Sequence, residues 1–265
     1  MKKIIATGKG GVGKTTIIAT LARLLAADGY RVLVVDTDPS MNLAMSLGIP
    51  FSRLTRLSDK KAEIRDQLGA GGGDEAPGHS HALVDESTME RIIMEYTVMD
   101  ANKVRVMVMG SIPYGGSGCI CSSIALVKLI IGTLERTNAS LDFIIVDSQA
   151  GSEVLGRGLA AEYDYNLVVT ETSPKALDVA LHVLKLAEDL GVKKQIVVAN
   201  KVADFSEIFT VSKKLGVVPD DIYPVAFDNK VIAADREARL ILDFAPESAV
   251  LANIQKIKNA IEADL

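Results

Sequence analysis

A glycine-rich motif near the start of the chain constrains its fold more than any other feature. Residues 8–15 read GKGGVGKT and match the pattern G-x-x-x-x-G-K-[ST]. They follow an apolar run over 2–8 and precede apolar positions at helical spacing over 14–29. In such a loop the glycines let backbone N–H groups surround a phosphate, and the helix N-terminus adds its dipole. The motif therefore predicts a phosphate-binding loop between the first strand and first helix of an α/β fold.

Strand-like apolar runs alternate with helical patterns along most of the chain. The later strand-like runs lie at 31–36, 104–110, 142–147, 165–171 and 194–200. The later helical patterns lie at roughly 122–137, 153–162, 174–190, 204–215 and 248–263. Because these strands are apolar on both faces, we expect an α/β fold with a doubly wound, mostly parallel sheet and helices on both faces.

The length and composition favour one domain. With 265 residues, of which 48% are hydrophobic, the chain can form a single large core. Residues 50–100 interrupt the alternation, and their Gly-rich polar stretch at 69–81 predicts a variable, mobile insertion. We therefore expect a single P-loop ATPase domain over 1–265 with an insertion at about 50–100.

The charge and hydropathy pattern argues against two classes of partner. A net charge of −5 argues against nucleic acid, and no apolar run reaches the ~18 residues that a membrane span needs. The chain also enters its first strand directly, without the charged and then apolar plan of a signal peptide. The sequence thus predicts a cytoplasmic protein that binds neither nucleic acid nor membrane.

The loop supplies most of the expected ATP contacts. Lys14 is expected against the β- and γ-phosphates, and the Thr15 hydroxyl is expected on Mg²⁺. The predicted nucleotide-binding residues of the loop are Gly8, Lys9, Gly10, Gly11, Val12, Gly13, Lys14, Thr15 and Thr16.

A second lysine, Lys9, lies inside this loop. KGGVGKT with that lysine resembles the deviant Walker A loop of the MinD/ParA group of P-loop ATPases, which includes nitrogenase iron protein. The resemblance implies that Lys9 reaches across a homodimer to the partner's nucleotide, where a cation supplied in trans neutralises charge on the γ-phosphate. The alternative is a solvated surface lysine.

Acidic residues follow two of the predicted strands. VVDTDPSMN (34–42) resembles the first switch of this group, which implies that Asp38 positions the attacking water and Asp36 steadies hydrated Mg²⁺. A helix N-cap is the alternative for Asp38. IIVDSQAG (144–151) has the layout of a Walker B strand, with Asp147 holding Mg²⁺ through water and the Gly151 N–H available to the γ-phosphate. The predicted catalytic residues are Lys9, Lys14 and Asp38.

Two later segments are candidates for recognising the base. VVANKV (197–202) resembles the strand end that reads adenine in related ATPases, with Asn200 and Lys201 as candidates. YPVAFD (223–228) resembles the later loop that closes over the base, with Pro224 and Asp228 as candidates.

The two cysteines, Cys119 and Cys121, are separated by one residue. Cys-x-Cys is too tight for an easy unstrained disulfide, but it can place two thiolates on one metal ion. Zn²⁺ or Ni²⁺ takes about four donors, and a two-fold dimer would supply the other two. The sequence therefore predicts a nickel or zinc ion shared between two subunits; incidental thiols are the alternative.

With these residues the resemblance becomes narrower. GGSGCIC followed by a helix, and then VD-x-x-AG-x-E-x-LGRG (146–158), resembles the CooC family of nickel-insertion ATPases that mature carbon monoxide dehydrogenase. This implies an ATP-dependent dimer that loads nickel into that client. The sequence departs from the expected pattern at Ser152-Glu153-Val154, where a histidine is expected after the glutamate, and at Ser122-Ser123, where a proline is expected.

Three other functions fit parts of the sequence. An iron protein-like reductase would take one cysteine from each of two separated loops, and this chain has no distant second cysteine. A ParA/MinD-type positioning ATPase would need a basic surface or an amphipathic C-terminal helix, and residues 248–263, with few lysines and the ending EADL, are a poor membrane anchor. A nickel ATPase serving acetyl-CoA synthase remains open. His79 and His81 could collect Ni²⁺, although an exposed loop is the simpler interpretation.

Overall fold

The fold is described from a computed structural model, over residues 1–70, 84–111, 121–137 and 139–265. Within these residues one sheet contains the strands β1 (Lys2–Thr7), β2 (Val32–Asp36), β3 (Thr97–Met99), β4 (Arg105–Val108), β5 (Phe143–Asp147), β6 (Tyr165–Thr170), β7 (Lys194–Val202) and β8 (Ile222–Ala226). The predicted strands are all present, shortened by one or two residues at half of their ends, and β7 extends two residues further than expected.

The strand order is β3-β4-β2-β5-β1-β6-β7-β8, and each pair is parallel except β3 with β4. The chain moves from β1 towards one edge through β2 and towards the other through β6. Strand order therefore reverses at β1, which is the place where α/β sheets bind ligands, beyond the carboxyl ends of the strands. The prediction of a doubly wound, mostly parallel sheet is confirmed.

Helices cover both faces of the sheet. They are α1 (Lys14–Ala27), α2 (Asn42–Ser46), α3 (Lys61–Gln67), α4 (Glu86–Tyr96), α5 (Cys121–Arg136), α6 (Glu153–Gly156), α7 (Pro174–Asp189), α8 (Glu207–Leu215), α9 (Asn229–Arg236), α10 (Ile241–Phe244) and α11 (Ala249–Glu262). Side chains alternate between the two faces, so that Ile4 packs with α1 and α11 while Ile5 packs with α4 and α5. Both residues are fully buried.

The helix predicted over 153–162 is much shorter than expected. It ends at Gly156, and Gly158 follows with a positive φ of 69°. Glycine adopts this left-handed conformation without steric cost, and it favours helix ends over helix interiors. The rest of the predicted helix is a series of turns that lead to Tyr163 and β6.

Two parts of the expected insertion contain packed elements. Helices α3 and α4 lie there, followed by β3, and the apolar side chains Ile64, Met89 and Ile92 are buried against the sheet. The N-cap of α4 is Asp85, whose carboxylate accepts a hydrogen bond from the Thr88 backbone N–H. Most of the Gly-rich stretch predicted to be mobile, with His79 and His81, lies outside the described residues.

A buried ion pair joins distant parts of the fold. Arg23 on α1 lies 2.5 Å from Asp100, next to β3, and 3.4 Å from Asp243 on α10. The side chains of Arg23 and Asp100 are almost fully buried, so either charge would be costly to leave unpaired.

Among the described helices, none is long and apolar enough to cross a bilayer.

Candidate functional site

The phosphate loop lies at the reversal point of the sheet, between β1 and α1. Gly8 has φ 137°, and a β-carbon there would overlap the Val169 carbonyl of β6. Gly13 has φ 96°, and a β-carbon there would overlap the Asn200 side chain. Glycine is required at both positions because the backbone is left-handed and its neighbours leave no room. The sequence therefore brings the loop into direct contact with β6 and β7.

Lys14 is buried at the centre of the loop. Its ammonium lies 3.4 Å from the Gly8 carbonyl and 3.3 Å from the Lys9 carbonyl. Burial lowers the pKa of Lys14, while the negative charges of Asp147 and Asp38 raise it. The ammonium therefore lies inside the loop against two of its carbonyl oxygens, a position suited to a phosphate held by the loop.

Asp36 and Asp147 are neighbours at the carboxyl ends of β2 and β5, in the same register. The Thr15 hydroxyl donates to one oxygen of Asp147 over 2.6 Å, and the other oxygen is buried with no hydrogen-bond partner among the described residues. Hard oxygen donors grouped in this way fit Mg²⁺, which prefers oxygen ligands and commonly keeps several waters. The threonine hydroxyl and the two carboxylates predicted for magnesium are thus brought together.

Burial changes the proton affinity of both carboxylates. It raises the pKa of Asp147 to about 6, although the Thr15 hydroxyl and the Lys14 charge lower it. Burial also raises the pKa of Asp36 well above its usual range, and the negative charge of Asp147 adds to this. A dication bound next to these oxygens would favour both charged forms.

Asp36 also holds the segment that contains Asp38. Its two oxygens accept hydrogen bonds from the backbone N–H groups of Asp38, over 3.0 Å, and Leu43, over 3.1 Å. Asp38 is partly exposed and accepts from both the backbone and the hydroxyl of Ser40. Asn42, at the start of α2, donates to Ser40. The Asp38 carboxylate therefore stabilises a tight turn, and it is not the N-cap of α2, which is Met41.

The carboxyl end of β7 packs against the loop. Asn200 donates through its side-chain nitrogen to the Val12 carbonyl over 2.7 Å. Lys201 donates to the Gly11 carbonyl over 2.7 Å and lies 2.5 Å from the Glu171 carboxylate. Both residues predicted to read the base thus contact the phosphate loop. The Glu171 contact was missed because nothing in the local sequence links positions so far apart.

The second base-recognition segment has a clear structural role. Asp228 is the N-cap of α9, where it accepts from the Lys230 backbone N–H over 2.8 Å, and it also accepts from the Ser248 hydroxyl over 2.7 Å. These hydrogen bonds, that from Ser248 first, lower the pKa of Asp228. Pro224 is half-buried in β8. Asp228 therefore fixes the ends of two helices, and both of its carboxylate oxygens accept hydrogen bonds.

Gly151 is also near the loop. Its backbone N–H donates to the Gly8 carbonyl over 3.0 Å, in an isolated bridge between the segment after β5 and the phosphate loop. The predicted donation of this N–H to a γ-phosphate would require the bridge to open.

The partly exposed Lys9 side chain makes no hydrogen bond or ion pair within the described parts of the chain.

The cysteine pair lies at the boundary of what the structure describes. Cys119 lies outside the described residues, whereas Cys121 is the first residue of α5 and is disulfide-bonded. The expectation that the cysteines would not readily form a disulfide is therefore wrong for this structure. The Arg157 guanidinium donates to the Cys121 sulfur and also lies 3.4 Å from the Glu153 carboxylate. This connects the cysteine to the segment that follows Asp147, and sequence reasoning missed it. The described residues of this single chain contain no group of three acidic, histidine or cysteine side chains suited to a metal.

Comparison with known proteins agrees with this geometry. Residues 3–262 match the family described as the CobQ/CobB/MinD/ParA nucleotide binding domain. The chain is 32% identical over 247 residues to the carbon monoxide dehydrogenase accessory protein CooC of Rhodospirillum rubrum, covering 92% of this chain and 90% of that protein. It is 34% identical over 200 residues to an uncharacterized ATP-binding protein of Methanocaldococcus jannaschii, covering 76% of this chain and 75% of that protein.

Solved structures agree on the fold. The cell division ATPase MinD of Pyrococcus furiosus superposes with a TM-score of 0.70 at 21% identity, covering 100% of both chains. The predicted membership of the deviant Walker A class, which includes the CooC relative, is therefore confirmed. This chain belongs to the CobQ/CobB/MinD/ParA nucleotide-binding family and is a P-loop ATPase of the deviant Walker A type.

Proposed function

We propose that this ATPase is an ATP-dependent homodimeric maturation factor that binds one nickel or zinc ion through Cys119 and Cys121 of both subunits. Its client would be carbon monoxide dehydrogenase, into which it assists nickel insertion. The observation that carries this proposal is the similarity to CooC over 92% of the chain. That relative is named as an accessory protein of carbon monoxide dehydrogenase, and the Cys-x-Cys sequence gives a chemical reason for metal handling.

The nucleotide chemistry follows from the loop and its carboxylates. ATP would be held by the amides of residues 8–16, with Lys14 against the β- and γ-phosphates. Mg²⁺ would be held by Thr15 and, partly through water, by Asp36 and Asp147; their oxygens provide the donor set that this ion prefers. Asp38 would orient the attacking water.

The dimer would complete both sites. Lys9 would neutralise charge on the partner's γ-phosphate, as a trans-acting arginine does in other P-loop enzymes. Two thiolates are half of a tetrahedral set, so a second subunit facing the first across a two-fold axis would supply the rest. The base would be surrounded by Asn200, Lys201, Pro224 and Asp228. The protein would work in the cytoplasm, where thiols stay reduced.

The metal site is tested with paired variants. Cys119→Ser combined with Cys121→Ser should abolish stoichiometric binding of Ni²⁺ and Zn²⁺ by equilibrium dialysis, while ATP affinity stays within about twofold because the thiolates do not contact phosphate. Matched controls are His182→Ala on α7 and His79→Ala with His81→Ala, which should keep the metal. Unchanged metal content in the double cysteine variant would refute the thiolate site.

The client is tested by transfer. Nickel-loaded protein mixed with ATP should activate nickel-free carbon monoxide dehydrogenase faster than free Ni²⁺ at equal concentration. Nickel-free acetyl-CoA synthase serves as the second acceptor in a parallel reaction. Activation of acetyl-CoA synthase alone would reassign the client and leave the ATPase intact.

A further inference from the structure

The carboxyl end of β7 contains a bulge next to the phosphate loop. Over residues 199–202, β7 has one residue more than the part of β8 with which it pairs. Asn200 and Lys201 form this bulge, a feature that redirects side chains and is common beside active sites. Lys201 also has a positive φ of 59°, a left-handed conformation that is uncommon for a residue with a β-carbon. Strain of this kind is retained where the direction of a side chain matters.

Both side chains of the bulge donate to carbonyl oxygens of the phosphate loop. The Lys201 ammonium lies 2.7 Å from the Gly11 carbonyl. The Asn200 amide nitrogen lies 2.7 Å from the Val12 carbonyl. A trans peptide unit is planar, and its C=O and N–H bonds point in opposite directions. A carbonyl held towards β7 therefore directs the following N–H, that of Val12 or Gly13, to the opposite side of the loop. Loop N–H groups are the donors that bind phosphate.

The Glu171 carboxylate, just beyond the end of β6, holds the Lys201 ammonium in this position. The two charged groups lie 2.5 Å apart. A lysine has a flexible stem and three rotatable donors, so a single carbonyl restrains it weakly and a second partner restrains it further. Both side chains are partly exposed, at 44% and 31%, so the ion pair by itself adds little to stability. Its effect is on the direction of the ammonium.

A second set of hydrogen bonds joins the segments that carry these two residues. The hydroxyl of Thr172, the neighbour of Glu171, donates to the Glu207 carboxylate over 2.9 Å. The same carboxylate accepts from the backbone N–H groups of Ala203 and Asp204, each over 3.0 Å, in the turn after β7. The end of β6 and the end of β7 are therefore held together beside the loop.

We propose that Glu171 is a positioning residue for nucleotide binding that acts through Lys201. It holds the ammonium on the Gly11 carbonyl, and this keeps the Val12 N–H turned towards the bound phosphates. The aliphatic stem of Lys201 is still available to the base, because only the ammonium is engaged. The role requires only that the chain binds a nucleotide at its phosphate loop, as its family does, and is independent of the proposed nickel function.

The change Glu171→Gln separates positioning from a simple effect of charge. It removes a negative charge close to the phosphate loop, and this alone should strengthen the binding of a triphosphate. If Glu171 positions Lys201, the change should instead weaken ATP about threefold. It should weaken ITP, which has a different base, by the same factor, because the loop contacts phosphate. Displacement of a fluorescent ADP analogue measures both affinities. Unchanged or tighter binding, or a loss confined to one base, would overturn the proposal.

Kinetics and stability distinguish positioning from a merely structural role. In Glu171→Gln the KM for ATP should rise about threefold while kcat stays within about twofold, because binding common to the ground and transition states is lost. The melting temperature without nucleotide should stay within about 2 °C of wild type, since the ion pair is partly exposed. A lower melting temperature with an equal loss in kcat would show that Glu171 only maintains the fold.

A double-mutant cycle tests whether Glu171 acts through Lys201. Lys201→Met removes the ammonium and keeps the stem, and it should weaken ATP about fivefold. Adding Glu171→Gln to Lys201→Met should cause no further loss, because the group that Glu171 holds is then absent. Losses that multiply in the double variant would contradict the proposal.

The matched control is another exposed ion pair between neighbouring elements. Lys214 on α8 lies 2.6 Å from Asp178 on α7, and neither makes a described hydrogen bond to the phosphate loop. Lys214→Met and Asp178→Asn should leave the affinity for ATP within about twofold of wild type. A loss in these variants as large as that in Glu171→Gln would show that the effect is not specific to the loop, and would refute the assignment.

Discussion

At the residue scale, the two carboxylates at the ends of β2 and β5 show how burial changes the proton affinity of a side chain. Asp36 and Asp147 lose most of their hydration, and burial raises the pKa of both. The backbone N–H groups of Asp38 and Leu43, which donate to Asp36, lower its pKa only in part. Each carboxylate is therefore held at a cost in free energy that a bound cation would offset.

That cost predicts a pH dependence of stability. The pKa of Asp147 is about 6 in the folded protein, against an ordinary value of 3.8, so the folded state binds a proton more readily than the unfolded state between these values. Stability of the metal-free protein should fall as pH rises through this window. Asp147→Asn keeps an oxygen that can accept from Thr15 and should be more stable than wild type by about 3 kcal/mol at pH 8, with no difference below about pH 4.

Urea unfolding from pH 4 to 8 in the presence of a chelator measures this difference. Asp142→Asn is the control of opposite sign, because the hydrogen bond from Arg31 lowers the pKa of Asp142. Its carboxylate stabilises the folded state above the ordinary pKa, and that contribution is lost as pH falls. A gap between wild type and Asp147→Asn that does not change with pH would contradict the assignment.

At the scale of elements, the short helix α6 and its following turns connect the carboxyl end of β5 to α5. Asp147 ends β5, Glu153 begins α6, and Arg157 follows it. The Arg157 guanidinium contacts the Cys121 sulfur at the first turn of α5. A shift of this segment on nucleotide binding would therefore move a group that touches the proposed metal ligand.

We predict that Arg157 positions Cys121 for metal once the disulfide of this cysteine is reduced. Arg157→Gln should lower the affinity for Ni²⁺ about tenfold, as is typical when a hydrogen-bond donor to a metal ligand is removed. Glu153→Gln, which removes only the ion pair with Arg157 at 3.4 Å, should have a smaller effect. Competition with a chromophoric chelator gives the metal affinities, and fluorescent nucleotide titration gives those for ATP. An equal loss of ATP affinity in Arg157→Gln would indicate general disruption.

The elements also show what sequence reasoning could reach. The strand positions were predictable because a central parallel strand needs apolar residues on both faces. The phosphate loop was predictable because its backbone conformation requires glycine at fixed positions, and this leaves a recognisable pattern in the sequence. The end of α6 at Gly156 was missed because the apolar pattern continues beyond it. The contacts from Arg157 to Cys121 and from Lys201 to Glu171 join positions with no shared local pattern, so only the folded chain reveals them.

At the scale of the whole molecule, one subunit contains most of the expected ATPase centre. The side chains that meet at the carboxyl ends of the central strands are Lys14, Thr15, Asp36 and Asp147. Asp38 lies in the adjoining turn. Lys9 lies in the same loop, partly exposed, and pairs with no group in the described chain. A lysine that completes a site in a second subunit would have this arrangement, as would a solvated surface lysine. Only an experiment on mixed subunits separates the two.

Lys9→Ala should suppress ATP hydrolysis at least about a hundredfold while nucleotide still binds, because a trans-acting cation stabilises the transition state more than the bound triphosphate. Asp38→Ala should also be inactive, through loss of water positioning. Mixing the two variants distinguishes the models. If Lys9 acts in trans, a mixed dimer has one complete site, so a statistical mixture should recover about a quarter of wild-type activity per subunit. If Lys9 acts within its own subunit, every site lacks one residue, and the mixture should stay inactive.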